Sequence, residues 1–372
     1  MRFQAEEGAN VTLVAGRDSD LDHLSGEPFD VRTCDQLINE LQPIKFGRTI
    51  EELREMFESC RADVVHTHQG TAGLLGRTAA ILSGVPCIVY GLHGDHVEHP
   101  KLNRVTRPIF HGIEKLLGRY TDYFVSVGRE IRQRYRDRGI GTPDQHVVIP
   151  SAIELDWFRS SCFDSEDERV AKKHDLGIAH SEAPVVGMVA SLEPRKGYDD
   201  ALGVACEMLE RSAVPDIQFL FVGNGPLREE LERKACEKNI ADRVIFTGFR
   251  EDIADVMECF DLFMFTSHME GLPQVLVQAA ATGLPAVTFD VEGASEIIQD
   301  GSSGYVLPER NHGEMVDCLI ELLTDNEKRE RFGENARRHA SSRWSIDNMR
   351  TNVKQFYRRI RSDLRNLRHA SR

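Results

Sequence analysis

The chain has 372 residues, 41% hydrophobic and 28% charged, with a formal net charge of −14. That length predicts two domains of roughly 150–200 residues each, and the composition is that of a globular protein. The acidic balance argues against general nucleic-acid affinity.

No apolar run reaches the roughly 20 residues needed to span a bilayer, and no signal-peptide pattern opens the chain. The eight cysteines are scattered without metal-ligand spacing, which predicts reduced, structural thiols in a cytoplasmic protein.

Apolar strand-like runs alternate with helical patterns along the chain, the signature of parallel α/β sheets. Met1–Gly8 reads as the tail of a helix, and Val11–Ala15 as the strand after it. A doubly wound domain opens with a strand, a Gly-rich turn and a full helix, and that turn lies where ligand binds. Nothing ahead of Val11 matches these elements. We therefore expect a first domain lacking its N-terminal strand and Gly-rich loop, with the natural start upstream of Met1 or, failing that, a truncated gene product. Further strands are predicted at Asp63–His68, Cys87–Leu92, Tyr123–Val127 and Val147–Pro150, with helices near Thr49–Cys60, Thr71–Leu82, Thr106–Arg119 and Arg129–Arg138.

The polar stretch 153–183 reads as a linker with a short helix. Strands resume at Val185–Ala190, Ile217–Val222, Val244–Thr247, Leu262–Phe265, Ala286–Phe289 and Tyr305–Leu307, and the close is helical from Gly313 to about Leu367. The predicted domains are 1–152 and 184–344, followed by a basic helix over 345–372 that crosses back to the first domain.

Charge is unevenly placed. Between Lys101 and Arg138 the basic residues face only Glu114, Asp122, Glu130 and Asp137, and the tail from Arg350 holds the single acid Asp363. A solvated helix face explains either run. The functional alternative is an anionic membrane surface, where each such charge contributes about 1 kcal/mol.

Chemistry concentrates where strands turn into helices. Ser267-His-Met-Glu-Gly-Leu-Pro-Gln-Val-Leu-Val-Gln278 follows a buried apolar strand, and its helix ends at Gly283 and Pro285. It carries Glu270 to the mouth of the sheet and aims a helix N-terminus there, which suits a ligand with an anionic leaving group. Ala190-Ser-Leu-Glu-Pro-Arg-Lys-Gly197 places Arg195 and Lys196 at a helix start, where cations are unfavourable unless they meet an anion. Val222-Gly-Asn-Gly-Pro-Leu-Arg228 is a tight turn with Pro226 suited to a first helical position. His66, His68 and His93 sit at predicted strand ends in the first half, and His96 and His99 read as solvent-exposed loop residues.

Together these segments resemble the retaining glycosyltransferases of family 4, from about Val11 to Leu323 and most strongly from Val185 to Leu307. The resemblance implies an α/β fold of two facing Rossmann-like domains (GT-B). It implies a nucleoside-diphosphate sugar as donor, a polysaccharide or lipid-linked glycan as acceptor, and no nucleic-acid partner. Such a transferase would work in the cytoplasm, at the inner face of the cell membrane.

By resemblance, Glu270 and His93 orient the transferred sugar, and Lys196 matches the lysine of the family's phosphate clamp. Ser191 stands where the family has an arginine, so Arg195 is expected to supply that charge. Gly223 and Gly225 would line the donor site, Phe249 and Arg250 would sit beside the base, and Leu272 and Pro273 belong to the signature around Glu270. Gly293 and Ala294 would offer backbone N–H groups to the diphosphate or sugar. One of His66 and His68 would face the acceptor. Gln278 stands where the family has a second glutamate, against the ribose. A neutral amide there costs on the order of 1 kcal/mol, up to about tenfold in rate or affinity. With two cations against the diphosphate, no catalytic metal or cofactor is expected. The alternatives at this level are a sugar-nucleotide epimerase of the same fold and a non-catalytic partner in glycan assembly.

Overall fold

The structure is a computed structural model of the chain and describes residues 1–37, 43–95, 103–159 and 163–370. His96, His99 and Lys101 lie outside the described residues. The chain divides into two compact units, Met1–Pro150 with Asp347–Arg372, and Ser151–Ile346.

The first unit runs α1 (Arg2–Glu6), β1 (Thr12–Gly16), β2 (Asp30–Cys34), α2 (Pro43–Cys60), β3 (Val64–His68), α3 (Gly70–Leu82), β4 (Cys87–Leu92), α4 (Thr106–Gly118), β5 (Tyr123–Ser126), α5 (Arg129–Asp137) and β6 (His146–Val148). The second opens with α6 (Leu155–Arg159) and α7 (Glu166–Asp175), both inside the stretch 153–183. It continues through β7 (Val185–Val189), α8 (Tyr198–Arg211), β8 (Gln218–Val222), α9 (Arg228–Glu237), β9 (Val244–Gly248), α10 (Ile253–Glu258), β10 (Leu262–Phe265), α11 (Gln274–Thr282), β11 (Ala286–Phe289), α12 (Ala294–Ile297), β12 (Gly304–Leu307), α13 (His312–Thr324) and α14 (Asn326–Arg343). The chain closes with α15 (Ile346–Ala370).

In the first unit β3, β4, β5 and β6 form a parallel sheet in that order, and β1 pairs with β2 in a separate parallel pair. β2 has no counterpart among the predicted strands. Its only buried side chain is Cys34, so it carries no apolar run to read. Val14 and Cys34 pack with Leu53, Leu75 and Ala79, which ties the pair to α2 and α3. Helix α15 covers part of the main sheet, with Phe356 and Ile360 buried against Cys87, Val89, Tyr123 and Ile149.

The second unit is a six-stranded parallel sheet in the order β12-β11-β10-β7-β8-β9. Strands β8, β10 and β11 are buried at every position. A parallel sheet covered by helices on both faces demands such continuous apolar runs, which is why they read clearly in the sequence. From β7 the chain builds outward through β8 and β9, then returns to the other side of β7 with β10. The carboxyl ends of β7 and β10 therefore form the switch point of this sheet, where open α/β sheets bind ligand.

Candidate functional site

In the second unit the turn after β7 and the loop after β10 meet at that switch point. Pro194–Lys196 makes one tight helical turn, and Gly197 enters α8 in a left-handed conformation. The hydroxyl of Thr266 donates to Gly197 O (2.8 Å), and the backbone N–H of His268 donates to Arg195 O (2.9 Å), so the two segments are laced together.

Across this lacing Lys196 Nζ donates to Glu270 Oε1 at 2.5 Å, and Ser267 Oγ donates to the same oxygen at 2.7 Å. Both charged side chains are largely buried. A cation and an acid that are 74 positions apart in the sequence thus share one small volume at the ligand end of the sheet. Arg195 is more open; its guanidinium pairs with Glu193 (2.9 Å) and reaches Met269 O (3.4 Å).

His268 carries an interaction that the sequence reading missed. Its Nε2 lies 2.8 Å from Asp200, its Nδ1 lies 2.8 Å from Glu309, and His312 reaches the other oxygen of Asp200 at 2.8 Å. The loop that holds Glu270 is thereby braced against the first turn of α8 and the start of α13. No local pattern could have revealed this, because the partners come from segments far apart in the sequence.

The other proposed donor-side residues vary in what the structure leaves them. Leu272 and Pro273 are buried at the N-terminus of α11, and Gln278 is half-buried one turn into it. Phe249 is 73% exposed just past β9, an open aromatic face. Arg250 beside it is already engaged, donating to Asp252 (2.6 and 2.8 Å) and Asp175 (3.2 Å). Its guanidinium, helped by Lys172, holds the Asp252 carboxyl well below the usual range.

Gly223 and Gly225 lie where the turn after β8 presses on the turn after β7. A Cβ at Gly223 would fall 1.9 Å from Ala190 O, and one at Gly225 would fall 2.5 Å from Leu192 O. Gly293 packs on the Glu270 loop, where a Cβ would meet Gly271 O at 2.7 Å. Ala294 differs from its expectation. It is fully buried, and its N–H already donates to Val291 O (2.9 Å), so it has no backbone donor left for a ligand.

In the first unit the three histidines converge at the carboxyl ends of β3 and β4. His68 Nδ1 lies 2.9 Å from His93 Nε2, His66 stacks on His68 at 4.5 Å between centroids, and His66 Nδ1 lies 2.8 Å from the Tyr357 hydroxyl. The His68–His93 contact needs one N–H and one lone pair, so both rings cannot be protonated there at once. Burial lowers all three: His66 to about 3 and His68 to about 4, with neighbouring imidazoles adding to the effect, while His93 falls below its usual value.

Gln69 fixes the turn that carries His93. Its Oε1 accepts from the His93 N–H (3.0 Å) and its Nε2 donates to Gly94 O (2.8 Å). Sequence reasoning passed over Gln69, since a glutamine after a strand has no distinctive signal.

The Asp-x-Asp spacings Asp18–Asp20 and Asp20–Asp22 fall in the loop after β1. Among the described residues no group of three or more His, Cys, Asp or Glu is placed to hold a metal ion, and no helix is long and apolar enough to cross a membrane.

The geometry can be set beside known proteins. Residues 172–339 match the family described as glycosyl transferases group 1, and residues 1–152 match the glycosyl transferase 4-like domain. The chain is 26% identical over 295 residues to the UDP-Gal:alpha-D-GlcNAc-diphosphoundecaprenol alpha-1,3-galactosyltransferase of Escherichia coli, covering 78% of this chain and 73% of that one. It is 29% identical over 305 residues to the alpha-D-kanosaminyltransferase of Streptomyces kanamyceticus, covering 80% and 77%. Among solved structures it superposes on Anabaena HepE in complex with UDP-glucose with a TM-score of 0.74, at 21% identity and over 92% and 91% of the two chains. The two sequence relatives are named as transferases, and they lend no support to the epimerase reading. With two Rossmann-like units, and with both matches placed one per unit, the chain belongs to the group 1, family 4-like glycosyltransferases of GT-B fold.

Proposed function

We propose that this glycosyltransferase moves a sugar from a nucleoside-diphosphate donor to a glycan or lipid-linked acceptor with retention at the anomeric carbon and without a catalytic metal. The observation that carries this reading is the Lys196–Glu270 pair at the switch point. The ammonium and the carboxylate neutralise each other. A donor diphosphate competes for Lys196 with more negative charge than Glu270 carries, and this frees the carboxylate to accept from sugar hydroxyls. The cation then sits where negative charge grows as the leaving group departs, the placement that lowers a transfer barrier.

In the transfer step the bond from the anomeric carbon to the phosphate oxygen breaks and its electron pair leaves with the diphosphate. The acceptor oxygen bonds to that carbon, and its proton passes to the departing phosphate. Arg195 is the second cation proposed for the diphosphate, and Phe249 the stacking face for the base. Gly223, Gly225, Leu272, Pro273 and Gly293 shape the donor turn, and Gln278 holds the ribose. His93 is proposed to steady the sugar as a neutral imidazole whose tautomer is coupled to His68. The basic runs support work in the cytoplasm at an anionic membrane face, as in polysaccharide or lipopolysaccharide assembly.

Glu270→Gln tests the assignment. The variant keeps the shape of the side chain but loses the charge that answers both Lys196 and the sugar. Turnover is expected to fall by at least about a hundredfold, roughly 3 kcal/mol of barrier. Nucleoside-diphosphate affinity should not fall, and should rise if anything, since Lys196 no longer has a competing carboxylate. Nucleotide release from a panel of UDP- and GDP-sugars, paired with calorimetric titration of the free diphosphates, reads the two effects separately. Wild-type turnover in the variant would remove Glu270 from the mechanism.

A further inference from the structure

Helix α4 exposes an ordered apolar stripe. Val105 is 71% exposed, Ile109 58%, Leu116 54% and Tyr120 57%. Val105 caps the helix and Tyr120 follows its last turn. At about 100° per residue, the four fall within roughly 60° of arc, with Gly112 between Ile109 and Leu116. Exposed apolar residues scattered singly are ordinary, but four on one stripe are not.

The helix is held in this orientation from its opposite face. Glu114 is buried and accepts from Arg77 Nη2 at 2.6 Å, Leu117 is buried beside it, and His111 Nε2 contacts Arg138 O at 3.1 Å. Rolling the stripe inward would expose the Arg77–Glu114 pair and break it, a costly exchange.

One flank of the stripe is basic. Arg104, Lys115 and Arg119 are exposed along it, and the only acid in the helix is the buried Glu114. In a chain of net charge −14 this patch has the opposite sign to the whole. An exposed apolar stripe with a cationic flank on a non-spanning helix fits the boundary between lipid headgroups and acyl chains.

We propose that α4 lies flat on an anionic lipid surface, with Val105, Ile109, Leu116 and Tyr120 entering the headgroup–acyl boundary and Arg104, Lys115 and Arg119 meeting lipid phosphates. A second copy of the chain fits less well, because the same stripe on a like copy carries the same basic flank and no exposed acid of α4 to answer it. The proposal rests on the membrane-face reading above and names the surface that carries it, while its readout needs no sugar transfer.

Co-sedimentation of the full chain with vesicles tests it, comparing phosphatidylcholine alone with phosphatidylcholine containing about 30 mol % phosphatidylglycerol. The wild type is expected to bind the anionic vesicles. Ile109→Glu with Leu116→Glu should weaken that binding at least about tenfold, since each charge must enter the apolar boundary. Lys115→Gln and Arg119→Gln should weaken it about fivefold each, with a further fall at high salt. Unchanged thermal melting and nucleoside-diphosphate binding certify that the variants are folded. Ile109→Gln with Leu116→Gln replaces the Glu pair if that pair melts early.

Equal binding to both vesicle types, no loss in either pair of variants, or a wild type that stays in solution overturns the proposal. So does self-association in sedimentation velocity that the same apolar substitutions abolish, which would assign the stripe to a second copy. Vesicle binding together with failed nucleotide binding would leave α4 standing and sink the sugar-transfer reading instead.

Discussion

At the scale of single residues, the chemistry turns on groups whose charge is settled by a neighbour. Lys196 and Glu270 are each other's counter-ion, and Ser267 supplies a second hydrogen bond to the carboxylate. The three histidines of the first unit are the reverse case: burial keeps them neutral. Free imidazole titrates near 6.5, but folding moves His66 to about 3 and His68 to about 4. As pH falls from 6.5 towards 4, the unfolded chain takes up protons at these positions that the folded chain refuses. Stability is therefore full above 6.5 and declines through that window. The urea midpoint is expected to drop between about pH 7 and about pH 5, and to drop less in His68→Asn, which keeps a polar atom near the Nδ1 position without titrating. Parallel slopes for variant and wild type would refute this account of His68. Glu270 and Lys196 stood out in the sequence because each breaks a local expectation, an acid in a loop and a cation at a helix start. Their contact did not stand out, because nothing in the sequence measures the distance between two loops.

Among elements, the turns after β7 and β8 act as one piece. Ala190 N–H donates to Val222 O, Leu192 N–H to Asn224 O, and Leu227 N–H back to Leu192 O, all within 3.1 Å. Gly223 makes this possible at φ +143°, where a side chain would strike Ala190 O. Gly223→Ala should cost at least about 2 kcal/mol through strain and separation of the turns. In a unit of this size that lowers the melting temperature by about 4–8 °C. A calorimetric scan within about 1 °C of wild type would show that the turn relaxes freely. The long apolar strands of the second unit were legible because both faces of that sheet are covered. Strand β2 was not, since an edge element with one buried side chain has no period to detect. Helix α4 was legible as a helix, but its outward stripe was not. Which apolar residues face solvent depends on the Arg77–Glu114 pair, and its members come from two helices.

For the whole molecule, the notable feature is that the last helix belongs to the first unit. Phe356 and Ile360 are buried on its sheet, Tyr357 meets His66, and Lys354 pairs with Glu7. Deleting Asp347–Arg372 strips that sheet face and removes the partner of His66. Limited proteolysis of the truncated chain should cleave within 1–150 far faster than in the full chain, while 151–346 keeps its protection. Equal protection of both units would mean that the first one stands without α15. The basic residues of the tail thus have a packing context as well as an electrostatic one, which composition alone left undivided.

The sequence by itself determined the class of protein. Alternating strands and helices, the order of the turns, and the signature around Glu270 were enough to place the family, because these are local patterns repeated at fixed spacing. Only the tertiary structure decided which groups meet. It joined Lys196 to Glu270, coupled His68 to His93, set the Gln69 clamp, and turned the apolar stripe of α4 outward. The physical reason is the same in each case: these contacts join loops or helices that are distant in sequence, or depend on how neighbouring segments pack. Their energies depend on separations of a few ångströms, which no spacing along the chain encodes.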